Sequence, residues 1–371
     1  MTINTQPMSA GRALAALRDG WTAQAAGQMT ASWMLHGRPG VGKTEIVATL
    51  AQEIGARLID LRLTTIEPQD LRGLPYYDHE AGKTIWYRPE DLPDTPAPAI
   101  LFLDELTAAP PTLQPVVYGL LQERRVGRHA LPDSVFIVAA GNAVEDGAVA
   151  YDLGTALSDR LIHLRVEASA NDWLMNYAVP QNLHPAVTAF IRMRPDRLET
   201  TEASLAAGDA VAATPRSWAR VSAILRAISE RTTRAVMIEG TIGAAVAAEF
   251  LPIADELLTS LAVDDLLAAA PGRRAALYPA SLHGLHGLVY ALTARLDADT
   301  APAAIAVLAG IGELHQTRSE PIFKTLPLAE LVSHGFEILI RRGLDLGLGD
   351  ALLDVPEMRT HMEERAESAP A

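Results

Sequence analysis

The 371-residue sequence contains no cysteine. Disulfide frameworks, thiolate metal sites and cysteine nucleophiles are therefore excluded, and the fold must rest on packing alone. Positive charge is also scarce, because 31 lysine and arginine residues stand against 45 acidic residues and the net charge is −14. A duplex-binding protein needs many cations to displace phosphate counterions, so this balance disfavours nucleic acid as the main partner.

Long apolar runs are absent as well. The most apolar stretch, Ala301–Gly312, is interrupted by Pro302 and is shorter than the roughly 20 residues that span a bilayer, so we expect no membrane insertion. The segment Met1–Gly20 has no basic stretch followed by an apolar one, which gives no support for a secretory signal. We therefore expect a cytoplasmic protein.

The remaining composition is that of a globular protein, with 49% hydrophobic and 20% charged residues, and the length predicts two or three domains. In the first half of the chain, short apolar runs with strand character alternate with helical patterns. These runs are Ala31–His36, Arg57–Leu63, Ala99–Leu103, Val135–Ala140 and Leu161–Val166. This alternation predicts an α/β fold in which a parallel sheet lies between helices.

Domain boundaries are predicted from the point where strand signals stop. We expect a core over residues 1–166 that carries an inserted hairpin within about 67–92, and a helical domain over 167–250. A helical extension without recognisable chemistry then covers 251–371, where one predicted helix spans Ile253–Ala270. A second hairpin is predicted over Gln122–Asp133.

A glycine-rich loop follows the first strand and precedes a helical pattern. Its residues are Gly37, Arg38, Pro39, Gly40, Val41, Gly42, Lys43 and Thr44. Glycines let backbone amides surround a phosphate, the Lys43 ammonium can bind β and γ oxygens, and the Thr44 hydroxyl can ligate Mg²⁺. A connecting turn is the alternative, but the strand before the loop and the helix after it favour a phosphate-binding loop.

Two carboxylates end the next strongly apolar strand, at Asp104 and Glu105. An open α/β sheet binds its ligand at this position. Asp104 is expected to hold Mg²⁺ through water, and Glu105 to orient and deprotonate the attacking water. A helix N-cap is the alternative interpretation, and the phosphate-binding loop upstream favours the catalytic one.

Three further polar residues are candidates for the same site. Asn142 ends the following strand, where its amide could contact both γ-phosphate and water, although Asn after Gly can also be a simple turn. Arg160, before Leu161, could equally be a solvated arginine or an ion-pair partner. Arg216 lies next to Pro215 near a helix start. A cation is unfavourable at this end of a helix, so an external anion such as phosphate would stabilise it.

Other clusters carry weaker signals. His283 and His286 could bind a metal, but helix-face pairing is favoured because no carboxylate completes a ligand set. A basic group could line a pore or be a solvated hairpin, and it comprises Arg124, Arg125, Arg128 and His129. An aromatic group could stack on bases or pair across a hairpin, and it comprises Tyr76, Tyr77, Trp86 and Tyr87.

Taken in order, these motifs resemble the AAA+ ATPases, with both Walker motifs, a first sensor at Asn142, an arginine finger at Arg160 and a second sensor at Arg216. The segment Glu67–Gly73, with the hairpin through Trp86–Pro89, is similar to the helix-2 insert of the MoxR-like family and its relatives associated with von Willebrand factor A (VWA) domains. Gln122–Val126 also fits that family, and the resemblance covers about residues 31–220.

This resemblance implies a P-loop AAA+ core followed by an α-helical lid, which would be residues 167–250. It implies ATP hydrolysis with Mg²⁺ held at Thr44 and Asp104, in a homo-hexameric ring where Arg160 completes a neighbouring subunit's site. It also implies a protein client and a VWA-domain partner. The runner-up is a nucleic-acid motor of the helicase or DNA-remodelling type, which the acidic charge disfavours. A scaffold that barely hydrolyses ATP is disfavoured by the presence of Glu105.

Overall fold

The computed structural model describes residues 4–142 and 159–368. The chain divides into two compact units, each described here by itself. The first comprises Met1–Ser169, Thr201–Ala206 and Thr214–Arg216, and the second comprises Ala170–Thr200, Ala207–Ala213 and Ser217–Ala371.

The first unit is built on a six-stranded sheet in the order β1-β10-β2-β9-β6-β3, in which every neighbouring pair is parallel. Its strands are β1 (Pro7–Met8), β2 (Ser32–His36), β3 (Arg57–Arg62), β6 (Ala99–Asp104), β9 (Val135–Gly141) and β10 (Leu161–Val166). The predicted parallel sheet is thus confirmed. The short strand β1 was not predicted, because two residues are too few to show a periodic pattern.

Helices cover the sheet from both sides and explain the continuous apolar strands. The helices within the Met1–Ser169 part of this unit are α1 (Ala10–Ala25), α2 (Lys43–Glu53), α3 (Pro68–Arg72) and α4 (Gln114–Tyr118), the last continuing as a π-helical turn over Gly119–Glu123. One buried cluster contains Leu101 and Leu103, and the other contains Phe102 and Val47 of α2. Successive residues of β6 therefore pack on opposite faces, as strand geometry requires.

Both predicted hairpins are present in the first unit. Strands β4 (Pro75–Asp78) and β5 (Lys83–Trp86) pair antiparallel, and so do β7 (Arg125–Val126) and β8 (His129–Ala130). Arg88 follows β5, and its guanidinium links the two hairpins by donating to the Ala130 carbonyl of β8 at 2.9 Å. It also donates to the Leu92 carbonyl at 2.9 Å. These bonds give the base of the β4–β5 hairpin a fixed attachment.

The remaining described elements are helical. They are α5 (Ala170–Trp173), α6 (Pro185–Met193), α7 (Thr201–Ala207), α8 (Pro215–Ala227), α9 (Arg231–Ile242), α10 (Ala244–Ser260), α11 (Val263–Ala268), α12 (Pro271–Arg274), α13 (Leu282–Ala294), α14 (Ala301–Gly312), α15 (Leu314–Thr317), α16 (Leu328–Asp345), α17 (Gly349–Leu353) and α18 (Pro356–Ser368). A π-helical turn over Leu174–Ala178 follows α5, and short 3₁₀ turns connect several of the others.

An aromatic cluster lies in the core of the second unit. The rings of Phe190, Trp218 and Phe250 pack at centroid distances of 5.2–5.4 Å, with two of the three contacts edge-on. The buried indole of Trp218 donates to the Arg197 carbonyl at 2.9 Å, which satisfies its polar atom. Helix α13 packs against α6, α10, α14 and α16, so residues on both sides of position 250 contribute to this unit.

The predicted helix over Ile253–Ala270 is wrong in its bounds. Helix α10 begins at Ala244, passes through Pro252 and ends at Ser260, and a separate helix, α11, begins at Val263. Pro252 hides this continuity in the sequence, because an internal proline ordinarily ends or kinks a helix. Position 250 therefore lies inside α10. The division into a helical lid domain over 167–250 and a helical extension over 251–371 stays a prediction.

Among the described residues, no helix combines the length and apolar character needed to cross a membrane. The apolar helix α14 has 12 residues, of which Ala301, Ile305, Leu308 and Ile311 are buried in the second unit. Its hydrophobicity is therefore explained by burial in a protein core.

Candidate functional site

A polar cavity of about 190 Å³ lies at the carboxyl edge of the sheet, entirely within the first unit. It is lined by Pro39, Gly40, Gly42, Lys43, Thr44, Arg62, Asp104, Glu105, Gly141, Asn142 and Arg216. Three strands end here, because β3, β6 and β9 are parallel neighbours and contribute Arg62, Asp104 and Gly141. The cavity therefore combines most of the residues that the sequence pattern singled out.

The loop between β2 and α2 has the conformation that glycine permits. Gly42 has φ 106° and serves as the N-cap of α2 without a side-chain hydrogen bond to the helix. L-residues rarely adopt this backbone region. The first amides of α2 are thus left for another acceptor, and the helix dipole favours an anion at this end.

Lys43 is held inside the loop by three acceptors. Its ammonium donates to the Gly37 carbonyl at 2.5 Å, to the Arg38 carbonyl at 3.2 Å and to the Asn142 side-chain oxygen at 2.7 Å. The side chain is buried, with 9% of the residue exposed. These bonds compensate a buried charge and place it at the cavity wall.

The two carboxylates at the end of β6 differ in environment. Asp104 is buried, and its Oδ1 accepts the Glu105 backbone N–H at 2.9 Å. Glu105 adopts the left-handed conformation, with φ 59° and ψ 34°. A residue other than glycine in this region costs of order 1 kcal/mol or more, and such strain is typical of functional positions.

Two residues from the β3 edge contact the Glu105 carboxylate. The Thr64 hydroxyl donates to it, and the Arg62 Nε lies 3.9 Å from its Oε1. Both arginine and glutamate side chains are exposed, so this ion pair contributes little to stability. The ion pair does, however, help to position the Glu105 carboxylate, because Arg62 is its second partner after Thr64.

Asn142 connects β9 to the glycine-rich loop. Its backbone N–H donates to the Thr107 hydroxyl at 3.1 Å, and its side-chain oxygen accepts the Lys43 ammonium. The preceding Gly141 has no room for a side chain, since an added Cβ would lie 2.6 Å from Thr107 Cγ2 and 2.8 Å from Met34 Cε. Close packing thus orients the amide toward the cavity.

Arg216 lines the cavity from the start of α8, whose first residue is Pro215 as the sequence predicted. The neighbouring Thr214 lies against the loop, because a Cβ on Gly40 would be 2.9 Å from the Thr214 hydroxyl oxygen. A cation near a helix start is poorly matched to the helix dipole. An anionic ligand in the cavity would compensate it.

Four predicted site residues do not line the cavity. Arg160 is exposed at the beginning of β10, and Val41 is buried in the core cluster that contains Phe102. Arg38 forms an ion pair with Glu202, with Nη2 2.9 Å from Oε2. Gly37 contributes its carbonyl to Lys43 and has no space for a side chain.

Sequence reasoning missed Arg62, Thr64 and Thr107. Arg62 pairs in register with Asp104, so the polar end of β3 lies beside the carboxylates. A polar residue at the end of a strand indicates a site residue only when that strand is known to neighbour the strand with the carboxylates. Thr107 gives no sequence signal, since a threonine after a strand is common in any loop.

Two side chains that line the cavity could serve as ligands of a metal ion. Thr44 and Asp104 supply a hydroxyl and a carboxylate, oxygen donors of the kind that Mg²⁺ prefers. Within residues 4–142 and 159–368, no group of three or more His, Asp or Glu side chains could hold a metal by itself. Among these described residues, His283 and His286 belong to no such group.

Comparison with known proteins identifies the class of the first unit. Residues 32–163, from β2 into β10, match the family model described as the ATPase family associated with various cellular activities (AAA). A search of curated proteins finds no significant match to the chain.

Solved structures give distant similarities. RuvB of Thermotoga maritima, a Holliday junction branch migration motor, is 13% identical over 70% of this chain and 75% of that chain, with a TM-score of 0.37. A protein from Cytophaga hutchinsonii described as a candidate ATPase is 15% identical over 94% of this chain and 88% of that chain, with a TM-score of 0.32. These scores are too low to carry an argument about function.

The family match covers the loop, both carboxylates and Asn142, which line one cavity at the carboxyl edge of a parallel sheet. Residues 32–163 are therefore an ATPase domain of the AAA type, and the protein is an ATP hydrolase.

Proposed function

We propose that this protein is a MoxR-like AAA+ ATPase that hydrolyses ATP in a homo-hexameric ring to remodel or activate a protein client, together with a VWA-domain partner. The single observation that carries the ATPase part is the convergence of Lys43, Asp104, Glu105 and Asn142 on one cavity. The client and the partner rest on the resemblance of the insert and hairpin to the MoxR-like family.

ATP binding would use the loop and the start of α2. The amides of the uncapped helix end and the Lys43 ammonium would contact the β and γ oxygens of the triphosphate. Thr44 and Asp104 would hold Mg²⁺, which when bound neutralises charge on those oxygens. The Lys43 ammonium is already at the cavity wall. It would therefore bind phosphate by exchanging some of its present acceptors for phosphate oxygens.

Hydrolysis would use Glu105 as the general base. Its carboxylate would accept a proton from the attacking water, and the Asn142 amide would orient that water. Thr64 and Arg62 now bind this carboxylate, so we infer that it must exchange them for water before it acts as a base. This exchange can couple catalysis to movements of the β3 edge.

Two arginines would respond to the γ-phosphate from different subunits. Arg216 lines the cavity of its own chain and would act as the second sensor. Arg160 is exposed, does not line that cavity, and would supply an arginine finger to a neighbouring subunit. A finger in trans makes hydrolysis depend on assembly, and such a residue is worth roughly 10³ to 10⁵ in rate.

The β4–β5 hairpin offers a surface for the client. Leu74, Tyr77 and Tyr87 are 60–67% exposed, and the Tyr76 and Tyr87 rings pack at 5.5 Å. Arg72 lies over the Trp86 ring at 5.1 Å and adds a contact at the hairpin base. Exposed aromatic side chains on an anchored hairpin favour contact with a partner chain. Residues 251–371 are the second region that we propose to determine which client is bound.

The function is tested by measuring ATP hydrolysis of the full chain with and without candidate activators. We expect stimulation by a VWA-domain protein recovered by co-purification and no stimulation by duplex or single-stranded DNA. A chain with the 75–86 hairpin replaced by a short glycine-containing turn should keep basal hydrolysis and lose stimulation. Stimulation by DNA alone would instead support the nucleic-acid motor.

A further inference from the structure

Two histidines, one at the end of β2 and one within β10, have no part in the chemistry described so far. His36 is the last residue of β2 and directly precedes Gly37, and His163 lies in the middle of β10. His36 Nε2 and His163 Nδ1 are 2.7 Å apart, the ring centroids are 5.0 Å apart, and the ring planes differ by 20°, so the rings meet edge to edge. This is a short hydrogen bond between two aromatic rings in contact.

The strand register explains why these rings meet. β2 and β10 are parallel neighbours in which His163 pairs with Met34 and His36 pairs with Arg165. The two imidazoles therefore lie on the same face at diagonal positions, within reach of each other. His36 is 5% exposed, so a polar partner is needed for its buried ring nitrogen.

The pair borders Lys43, the residue proposed to bind phosphate. The Gly37 carbonyl, one residue from His36, accepts the Lys43 ammonium. The end of β10 closes on the same point, because a Cβ on Gly37 would lie 2.5 Å from the Val166 carbonyl oxygen. A shift of β2 relative to β10 would therefore move an acceptor of Lys43.

Burial, the neighbouring His163 and the Lys43 charge lower the pKa of His36 to about 4. His36 is thus neutral at physiological pH and adds no second cation beside Lys43. A neutral ring can share one proton with its partner, so that one imidazole donates and the other accepts.

We infer that His36 and His163 are positioning residues for ATP binding, whose hydrogen bond fixes the end of β2 against β10 and thereby holds Gly37 and Lys43 in the phosphate-binding arrangement. This inference rests on the proposed ATP site and adds two residues to it. Neither ring is expected to touch the nucleotide, since neither lines the cavity.

Matched substitutions separate the hydrogen bond from the volume of the ring. His163→Asn keeps a polar atom near the Nδ1 position, and His163→Leu has a similar shape without one. At the other ring, His36→Gln and His36→Met form the corresponding pair, because Gln reaches toward the Nε2 position. If only packing mattered, each polar and apolar pair would behave alike.

ATP affinity is measured by titration calorimetry with Mg²⁺ in the full chain, in a Glu105→Gln background that prevents hydrolysis. We expect His163→Asn to bind ATP within about twofold of the background and His163→Leu to bind about fivefold more weakly, the usual worth of one hydrogen bond. The same contrast is expected between His36→Gln and His36→Met. His129→Asn replaces another buried imidazole of the first unit and serves as the control.

A double variant distinguishes positioning from stability. His163→Leu alone leaves the buried His36 nitrogen without its partner, which destabilises the fold, whereas His36→Met with His163→Leu removes both polar groups and should recover much of the melting temperature. We expect the double variant to remain about fivefold weaker for ATP despite this recovery. Normal ATP affinity in the double variant, or equal affinity in the Asn and Leu variants, would overturn the inference.

The result also separates this inference from the proposed function. If the Glu105→Gln background itself binds no ATP, the proposed site is wrong and the inference fails with it. If the background binds ATP and the polar and apolar variants do not differ, only the inference fails.

Discussion

Glu105 combines a strained backbone with a carboxylate at the cavity. Its left-handed φ of 59° is the kind of conformation that glycine adopts without cost. The side chain is nevertheless the one that the proposed mechanism needs as a base. Strain at this residue therefore predicts a conflict between stability and hydrolysis.

We predict that Glu105→Gly is more stable than Glu105→Ala by about 1 kcal/mol, because only glycine relieves the left-handed strain. Both variants lack the carboxylate and should lose hydrolysis. Urea unfolding of the two variants measures the difference. Equal free energies of unfolding would show that the conformation of residue 105 costs nothing.

Lys43 and Glu105 should fail in different ways. Lys43→Ala removes the cation that would contact the triphosphate, so we expect loss of ATP binding. Glu105→Gln keeps the shape of the side chain and removes the base, so ATP should bind normally and hydrolysis should fall by at least about 10²-fold. Calorimetry and phosphate release measure the two properties, and equal loss of ATP affinity in both variants would contradict these roles.

At the scale of elements, β9 orients Asn142 through close packing of its last residue. We predict that Gly141→Ala destabilises the protein by about 1–3 kcal/mol, because the new Cβ would overlap Thr107 and Met34. ATP hydrolysis should also fall, since Asn142 follows directly. Thermal melting and hydrolysis rates measure both effects.

Gly240 in α9 provides the matched control for that substitution. No atom lies within 4 Å of an added Cβ there, and its φ is not positive. Gly240→Ala should therefore be neutral or stabilising by up to about 1 kcal/mol, as helix propensity predicts. If Gly141→Ala melts like Gly240→Ala, the packing explanation for Gly141 is wrong.

At the scale of the whole molecule, the proposed ring can be tested by mixing inactive subunits. We predict that Arg160→Ala lowers hydrolysis by about 10³-fold or more while leaving ATP binding nearly unchanged. Lys43→Ala is inactive for a different reason. Mixed rings should regain partial activity, because an intact phosphate-binding loop then meets an intact Arg160 across some interfaces. Mixed rings that stay inactive at every ratio would argue against a finger in trans.

Acid sensitivity is a second property of the whole molecule. Burial is the main cause that lowers the pKa of His36, His184, His286 and His334 to about 4. The unfolded chain therefore binds more protons between pH 6.5 and 4, and the free energy of unfolding falls as pH falls through that window. We expect a loss of about 2 kcal/mol per histidine between pH 7 and pH 5.

Urea unfolding at the two pH values measures this loss. His286→Gln should reduce the loss of unfolding free energy by the contribution of one histidine, about 2 kcal/mol. Backbone hydrogen bonds from Thr233 and Thr232 lower the pKa of Glu230 to about 2, so its contribution is lost only at lower pH and does not enter the comparison. A free energy of unfolding that does not change from pH 7 to pH 5 would mean that these histidines are protonated in the folded protein.

Local sequence patterns determined much of this protein. The strands from β2 to β10, the glycine loop, the hairpins and the two carboxylates were all predicted, because strand runs and turn residues act over a few neighbouring positions. The family resemblance added the candidate roles of Asn142, Arg160 and Arg216. The ATPase class and the α/β fold are confirmed.

Only the tertiary structure decided which of these residues meet. Lys43 and Asn142 are 99 positions apart, and His36 and His163 are 127 apart, yet each pair forms a hydrogen bond of 2.7 Å. Strand order and register bring such residues together, and neither can be deduced from the local pattern of one strand. For the same reason the position of Arg62 beside Asp104 was not predicted. Helix α10 continues through Pro252, although an internal proline ordinarily ends or kinks a helix.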